Sequence, residues 1–229
     1  MGNEPYFYDS LDFPFLAELE KNIPQIQEEV LNYLEPNQNL FSPYFNTDMM
    51  SDKDSWSALI FLFWGQKGHD IEPLPILKKE LEKIPHLTSI ALSRIKANSV
   101  INRHPGDSNF FVRCHIPISI PSGLPDCGFQ VEDELRPWDP TKLLLFCDAY
   151  NHYAFNNTGE DRVVLIIDFL LKDFYTDKSD LMSTVISGLW SQQLELKSRV
   201  FKILPSTIKN MCRLGYKRYV LLFQSSRFI

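Results

Sequence analysis

The chain has 229 residues, 44% of them hydrophobic and 23% charged, enough for one substantial core in an ordered globular protein. A net charge of −6 argues against general nucleic-acid binding. The acidic start Met1-Gly-Asn-Glu4-Pro has neither the basic nor the apolar part of a signal peptide, and the longest apolar stretches, 58–64 and 163–167, are far too short to span a bilayer.

The four cysteines, Cys114, Cys127, Cys147 and Cys212, are widely spaced and include no CxxC pair. They fit free thiols in a reducing compartment, so a cytoplasmic location is expected. Charge is unevenly distributed. Glu195 is the last acidic residue, and eight basic residues follow it from Lys197 onward. The other 15 basic and all 29 acidic residues come earlier, giving −14 before Lys197 and +8 after it. Such a tail either folds back on the acidic body or meets an anionic surface.

The first predicted element is a helical region over residues 10–35. Asp12 is its expected N-cap, before Pro14 in the first turn. Phe15, Leu16, Leu19, Ile23, Ile26, Val30, Leu31 and Leu34 form one apolar stripe at helical spacing, and Pro24 is expected to split it. Residues 73–84 predict a second amphipathic helix. The middle is strand-rich, with strands expected over 56–63, 89–102, 110–120, 127–132, 142–147, 152–156 and 162–170. Turn residues separate them, as in His104-Pro-Gly106-Asp-Ser, Pro137-Trp-Asp-Pro140 and Asn156-Asn-Thr-Gly159. The pattern predicts an antiparallel sandwich or jelly roll. Helices return from Asp177 to Pro205, and 219–223 is either a last strand or a helical turn. One domain is expected: 1–176 as the β body with its N-terminal helices, and 177–229 as a helical basic extension packed on it.

The chemistry gathers on three strands. Along 110–120, Val112, Cys114, Ile116 and Ile118 share one face, and Arg113, His115 and Pro117 share the other. An aliphatic face under helices and a polar face in a barrel would give this pattern, with His115 projecting into a cavity. A lone strand histidine is usually structural. His152, 37 residues on, opens the third strand after it, and two such imidazoles could share a metal. They do not choose among iron, zinc, copper and nickel. Arg162 opens an otherwise apolar strand. Burying it requires an anion, either a carboxylate ligand held by its fork or an acidic side chain of this protein.

Together these residues resemble the aspartyl/asparaginyl β-hydroxylase family. The motifs are His104-Pro-Gly-Asp-Ser-Asn109, Arg113-Cys-His115, Cys127-Gly128, Trp138, Phe146-Cys-Asp148, His152, Asn156-Asn-Thr and Arg162-Val-Val-Leu-Ile-Ile-Asp168, in order across roughly residues 5–170. The resemblance implies a mainly β, double-stranded β-helix fold (a cupin-like jelly roll) with N- and C-terminal helices. It implies an Fe(II)- and 2-oxoglutarate-dependent dioxygenase that uses O2 to hydroxylate an unactivated carbon of a peptide, an amino acid or a lipid acyl chain. His115 and His152 match the metal ligands. Arg162 matches the arginine that binds the far carboxylate of 2-oxoglutarate. His104, Ser108 and Asn109 match a segment lining the cosubstrate pocket. Two positions depart from the pattern. Pro117 stands where related oxygenases have a ligating aspartate and some members of this family have glycine. Gln130 stands where the family often has a basic residue, and an amide can still hydrogen-bond a carboxylate there. The rival expectation is a jelly-roll binding module without catalysis.

Overall fold

The computed structural model describes residues 4–106 and 108–223. Its strands are β1 (Phe7–Tyr8), β2 (Ser42–Pro43), β3 (Trp56–Phe63), β4 (Gln66–Lys67), β5 (Leu87–Ile95), β6 (Ser99–His104), β7 (Phe111–Ser119), β8 (Cys127–Val131), β9 (Glu134–Arg136), β10 (Leu144–Cys147), β11 (His152–Asn156) and β12 (Arg162–Leu170). The helices are α1 (Ala17–Lys21), α2 (Ile23–Leu34), α3 (Pro75–Leu81), α4 (Lys178–Lys197), α5 (Arg199–Ile203) and α6 (Ser206–Phe223).

Two antiparallel sheets face each other. The larger has the order β1-β10-β7-β12-β5-β3-β2, with β4 on β3, and the smaller has the order β6-β11-β8-β9. The fold is a cupin-like jelly roll of mainly antiparallel sheet with flanking helices. The predicted alternation sets its layers. Val112, Cys114, Ile116 and Ile118 of β7 and Val163, Leu165, Ile167 and Phe169 of β12 pack outward under α1, α2 and α3. The opposite faces meet the small sheet through Phe129, Val131, Phe146, Ala154 and Val164.

Several expected boundaries move. The strand predicted over 89–102 is two, because the chain turns at Asn98. That residue takes φ 52°, a left-handed value asparagine tolerates, and β6 leaves for the second sheet. The N-terminal helix breaks at Asn22, and Pro24 sits in the first turn of α2, where its missing N–H costs nothing. Asp12 is not the cap. Asp9 is, accepting the Leu11 N–H at 3.0 Å. Leu31 drops out of the buried stripe and is exposed. The short edge strands β1, β2, β4 and β9 carry too few residues to show a period.

Polar contacts fix the helices on the large sheet. Glu29 of α2 caps α3 by accepting the Ile76 and Leu77 N–H groups at 2.8 and 2.9 Å. Gln27 of α2 donates to the Pro117 and Pro140 carbonyls at 2.9 and 2.8 Å. Pro117 lies in a central strand, normally forbidden to proline, and the β12–β7 register shifts beside it, between Val163 and Val164. At the end of the sheet, Trp64, Phe111 and Leu170 pack with Met182, Val185 and Ile186 of α4. All four cysteines are free thiols, three buried and Cys212 exposed. Among the described residues no helix is long and apolar enough to cross a membrane.

Candidate active site

The inward face of the large sheet is set by register. His115 stands between Leu144 of β10 and Ile166 of β12, and Arg113 stands opposite Phe146 and Asp168. Arg162 pairs with Ile95 of β5 at the other end of the same face. From the small sheet, His152 opens β11 between His104 and Val131. The two histidines therefore come from facing sheets. Both rest on one aromatic pair: Phe129 lies 5.3 Å from the His115 ring and 5.8 Å from His152, and Phe146 lies at 5.0 and 5.5 Å. Each histidine is 5% exposed.

Both imidazoles are held neutral. Burial, with Arg162 and Arg113 adding to it, keeps His115 well below the usual histidine range. Burial pushes His152 down to about 4. Their tautomers differ. His152 Nδ1 faces the Tyr150 carbonyl at 2.8 Å, so it carries the proton and leaves the Nε2 lone pair free. His115 Nδ1 instead accepts from the Trp138 indole N–H at 3.3 Å. His115 reaches a ligand-ready state only by exchanging that bond or giving up its other proton.

Trp138 also carries the next residue. Its ring lies under the Arg162 guanidinium at 4.6 Å. Arg162 is 1% exposed, and among the described residues its side chain makes one hydrogen bond, a long one from Nη1 to the Ser93 carbonyl at 3.3 Å. Its buried Nε has no partner, and no carboxylate among the described residues pairs with it. Burial without a counter-anion lowers its pKa to about 10. The acidic side chain allowed for from sequence is therefore absent among the described residues. Trp138 was legible in sequence as part of a proline-flanked turn and as one of the residues of the family resemblance, and nothing in its spacing marked it as the bridge between His115 and Arg162.

The other arginine on this face is fully engaged. Arg113 forks onto both oxygens of Asp168 at 2.8 and 2.9 Å and also binds Asp148. This ties β7, β12 and the end of β10 together beside His152. Asp148 Oδ1 lies 3.7 Å from His152 Nε2 but is held by Arg113, so it is not a free third ligand. Gly106 donates its N–H to the Asp148 carbonyl at 2.8 Å, and any side chain there would collide with the Asp148 carboxylate. This close approach explains glycine in His104-Pro-Gly106.

Of the remaining sequence-derived residues, His104 joins the cluster, its ring 4.5 Å from His152 and its Nδ1 2.7 Å from the Asn102 carbonyl. Ser108 and Asn109 lie on the loop into β7, where the Ser108 hydroxyl accepts the Phe110 N–H at 3.3 Å. Gln130 is not brought to the histidines. Strand alternation turns it to the opposite face from Phe129 and Val131, where it donates to the Glu132 carbonyl and accepts from the Tyr153 hydroxyl. Among the described residues, no three His, Cys, Asp or Glu side chains are arranged to hold a metal.

Residues 20–171, more than half of the chain, match the family described as aspartyl/asparaginyl beta-hydroxylase. The chain belongs to this family. It is 32% identical over 176 residues to an ornithine lipid ester-linked acyl 2-hydroxylase of Rhizobium tropici, covering 74% of this chain and 62% of the relative. It is 25% identical over 156 residues to human aspartyl/asparaginyl beta-hydroxylase, covering 66% of this chain and 20% of the relative. The match thus spans under two thirds of either relative. A Pseudomonas putida prolyl-4-hydroxylase shares 12% identity over 69% of this chain and 89% of its own, with a TM-score of 0.46, too distant to carry any statement about activity. Family membership supports a hydroxylase.

Proposed function

We propose that the protein is an Fe(II)- and 2-oxoglutarate-dependent hydroxylase. The observation that carries this reading is Arg162: a buried guanidinium with an orphaned Nε and no acidic partner among the described residues, which calls for a carboxylate from outside the chain. The donor set suits the metal too. His115 and His152 are buried, neutral imidazoles converging from facing sheets on Phe129 and Phe146.

In this reading His115 and His152 hold the iron, and Arg162 holds the far carboxylate of 2-oxoglutarate. Bound together with O2, the pair supplies the oxidation: 2-oxoglutarate becomes succinate and CO2, one oxygen atom enters succinate, and the other enters a substrate C–H bond. The chain's own residues set the stage. Trp138 packs against the Arg162 guanidinium and restricts where its fork points. The Tyr150 carbonyl fixes the His152 tautomer. Phe129 and Phe146 exclude water between the sheets. The Arg113 network braces the strand ends that carry both histidines.

For the substrate, the names of the two relatives share one chemical feature. C2 of an ester-linked acyl chain and the β-carbon of an aspartyl or asparaginyl side chain both lie one bond from a carbonyl. We extend that feature to this chain: the substrate is a lipid acyl chain, peptide or amino acid offering a C–H next to a carbonyl. The test is succinate release by anaerobically iron-loaded protein given O2 and 2-oxoglutarate, with Arg162→Met as control. Turnover abolished in the control supports the reading; equal turnover rejects it.

A second reading, a binding module without catalysis, draws on Pro117, which cannot ligate, and on the engagement of Asp148 by Arg113. Calorimetric titration with Mn(II) plus 2-oxoglutarate separates the two. Silence in the wild-type protein, or heat unchanged in His115→Ala, favours the module.

A further inference from the structure

The family match ends at residue 171, and the helical arm that follows is built differently from the body. Helix α6 touches the rest of the protein along one side only. Tyr216 stacks on Trp190 of α4 at 4.5 Å, Val220 is buried, and Lys209 and Lys217 bridge to Glu195 and Asp180 of α4. Those two pairings lie within the arm, so the basic tail does not fold back on the acidic body through them. On the other side of α6, Met211, Leu214 and Leu222 are 71, 56 and 75% exposed. Helix α5 repeats the arrangement. Phe201 packs towards Trp190, and Val200 and Ile203 are turned out, 68 and 82% exposed.

Cations are interleaved with these aliphatic side chains. Lys197, Arg199, Lys202, Arg213 and Arg218 are exposed, and none forms an ion pair among the described residues. No acidic residue follows Glu195 to balance them. Isolated exposed aliphatic residues are ordinary. An unpartnered stripe of them flanked by unpaired cations, on helices of an otherwise acidic protein, is not.

We propose that α5 and the outer side of α6 form a docking surface for an anionic lipid bilayer. The chemistry selects this occupant. Lipid headgroups offer the negative charge that the five cations lack, and the acyl boundary below accepts Val200, Ile203, Met211 and Leu222 at shallow depth. A second copy of the chain fits poorly, because a two-fold contact through this face would set the same cations against each other. A nucleic acid would use the cations but leave the aliphatic side chains in water. The inference does not rest on the hydroxylase reading, and its test does not use activity.

The test is co-sedimentation of the full chain with phosphatidylcholine vesicles, and with vesicles in which part of that lipid is replaced by phosphatidylglycerol. Binding is expected only to the anionic vesicles and is expected to weaken as salt rises. Each cation is worth about a five-fold change in partition at the surface, so Arg199→Glu/Lys202→Glu should lower binding at least 25-fold. Val200→Ser/Ile203→Ser should also lower it at near-constant salt dependence. Those four side chains are exposed, so the variants keep the core, and circular dichroism melting checks this. Absence of vesicle binding, equal binding to neutral vesicles, or unchanged binding in either double variant overturns the proposal. Sedimentation equilibrium showing a stable dimer that Ile203→Ser dissolves would overturn it in favour of self-association.

Discussion

Replacing Arg162 by methionine should make the ligand-free protein more stable while removing its response to 2-oxoglutarate. Burial lowers the Arg162 pKa from the ordinary arginine range to about 10. That difference corresponds to about 3 kcal/mol by which the folded state disfavours the charged side chain. A base whose pKa is lowered on folding binds fewer protons in the folded state between the two values, so stability rises with pH only from about 10 up to the unfolded arginine value. At pH 7 the whole penalty is present. Methionine keeps the apolar stem but gives up the guanidinium over Trp138, worth up to about 2 kcal/mol in a desolvated setting. The net gain is about 1–2 kcal/mol, or roughly 2–8 °C in Tm for a chain of this size. In wild-type protein with metal, a hundred-fold excess of 2-oxoglutarate over its Kd should add about 2.7 kcal/mol. In the variant it should add nothing. Differential scanning fluorimetry, with and without 2-oxoglutarate and Mn(II), reads both effects. A variant less stable than wild type would mean that Arg162 is satisfied in the free protein. A preserved 2-oxoglutarate shift would place the anion site elsewhere.

Three further outcomes are expected. The metal-free protein should lose stability as pH falls from about 6.5 towards 4, because His152 is neutral in the fold down to about 4 and protonates earlier when unfolded; urea titrations should show about 1.4 kcal/mol lost per pH unit from this residue, with His115 adding to it. Arg113→Met should destabilise by about 3–5 kcal/mol in the same assay, since it removes the cation that pairs with the buried Asp148 and Asp168 carboxylates. Trp138→Phe keeps an aromatic face near Arg162 but removes the indole N–H from His115 Nδ1. It should leave 2-oxoglutarate affinity within about five-fold, at roughly 1 kcal/mol of lost cation–π contact. It should also tighten Mn(II) binding, both read by calorimetry.

The parts of the fold visible in sequence were those with a period. β7 and β12 alternate over nine residues each, long enough to assign His115 and Arg162 to one face and the aliphatic side chains to the other. The aliphatic face found its helices as the stripe of α1 and α2 required. Edge strands of two or three residues had no period to show. The site divides the same way. Strand alternation assigned faces to His115 and Arg162, while their roles and that of His152 were named from the family resemblance. Gln130 was misdirected because it was matched by position, whereas alternation within β8 already puts it opposite Phe129 and Val131. Trp138 was missed as a site residue because it lies on no strand. Its role exists only once the fold brings a loop across the mouth between His115 and Arg162.

Pro117 gives this arrangement its consequence. In a strand whose inward face carries Arg113 and His115, the next inward position is filled by a ring that can neither ligate nor carry charge. The Asp148 carboxylate is held by Arg113, whose single positive charge is shared with Asp168. In the proposed reading the pocket presents two neutral imidazoles and a bare guanidinium, and a divalent metal would bring the charge of that set to +3, or +2 once the Arg113–Asp148–Asp168 group is counted. A dianion lowers these to +1 or zero, with one carboxylate at each end of the charge distribution. Metal and 2-oxoglutarate should then each bind better in the presence of the other, by the same factor whichever is added first. A site with a ligating aspartate has part of that compensation built in and needs less of it from the cosubstrate. Titrating Mn(II) at zero and saturating 2-oxoglutarate, and the reverse, should give matching enhancements of at least ten-fold, about 1.4 kcal/mol of coupling. Independent binding of the two would show that a charged group of the protein completes the site.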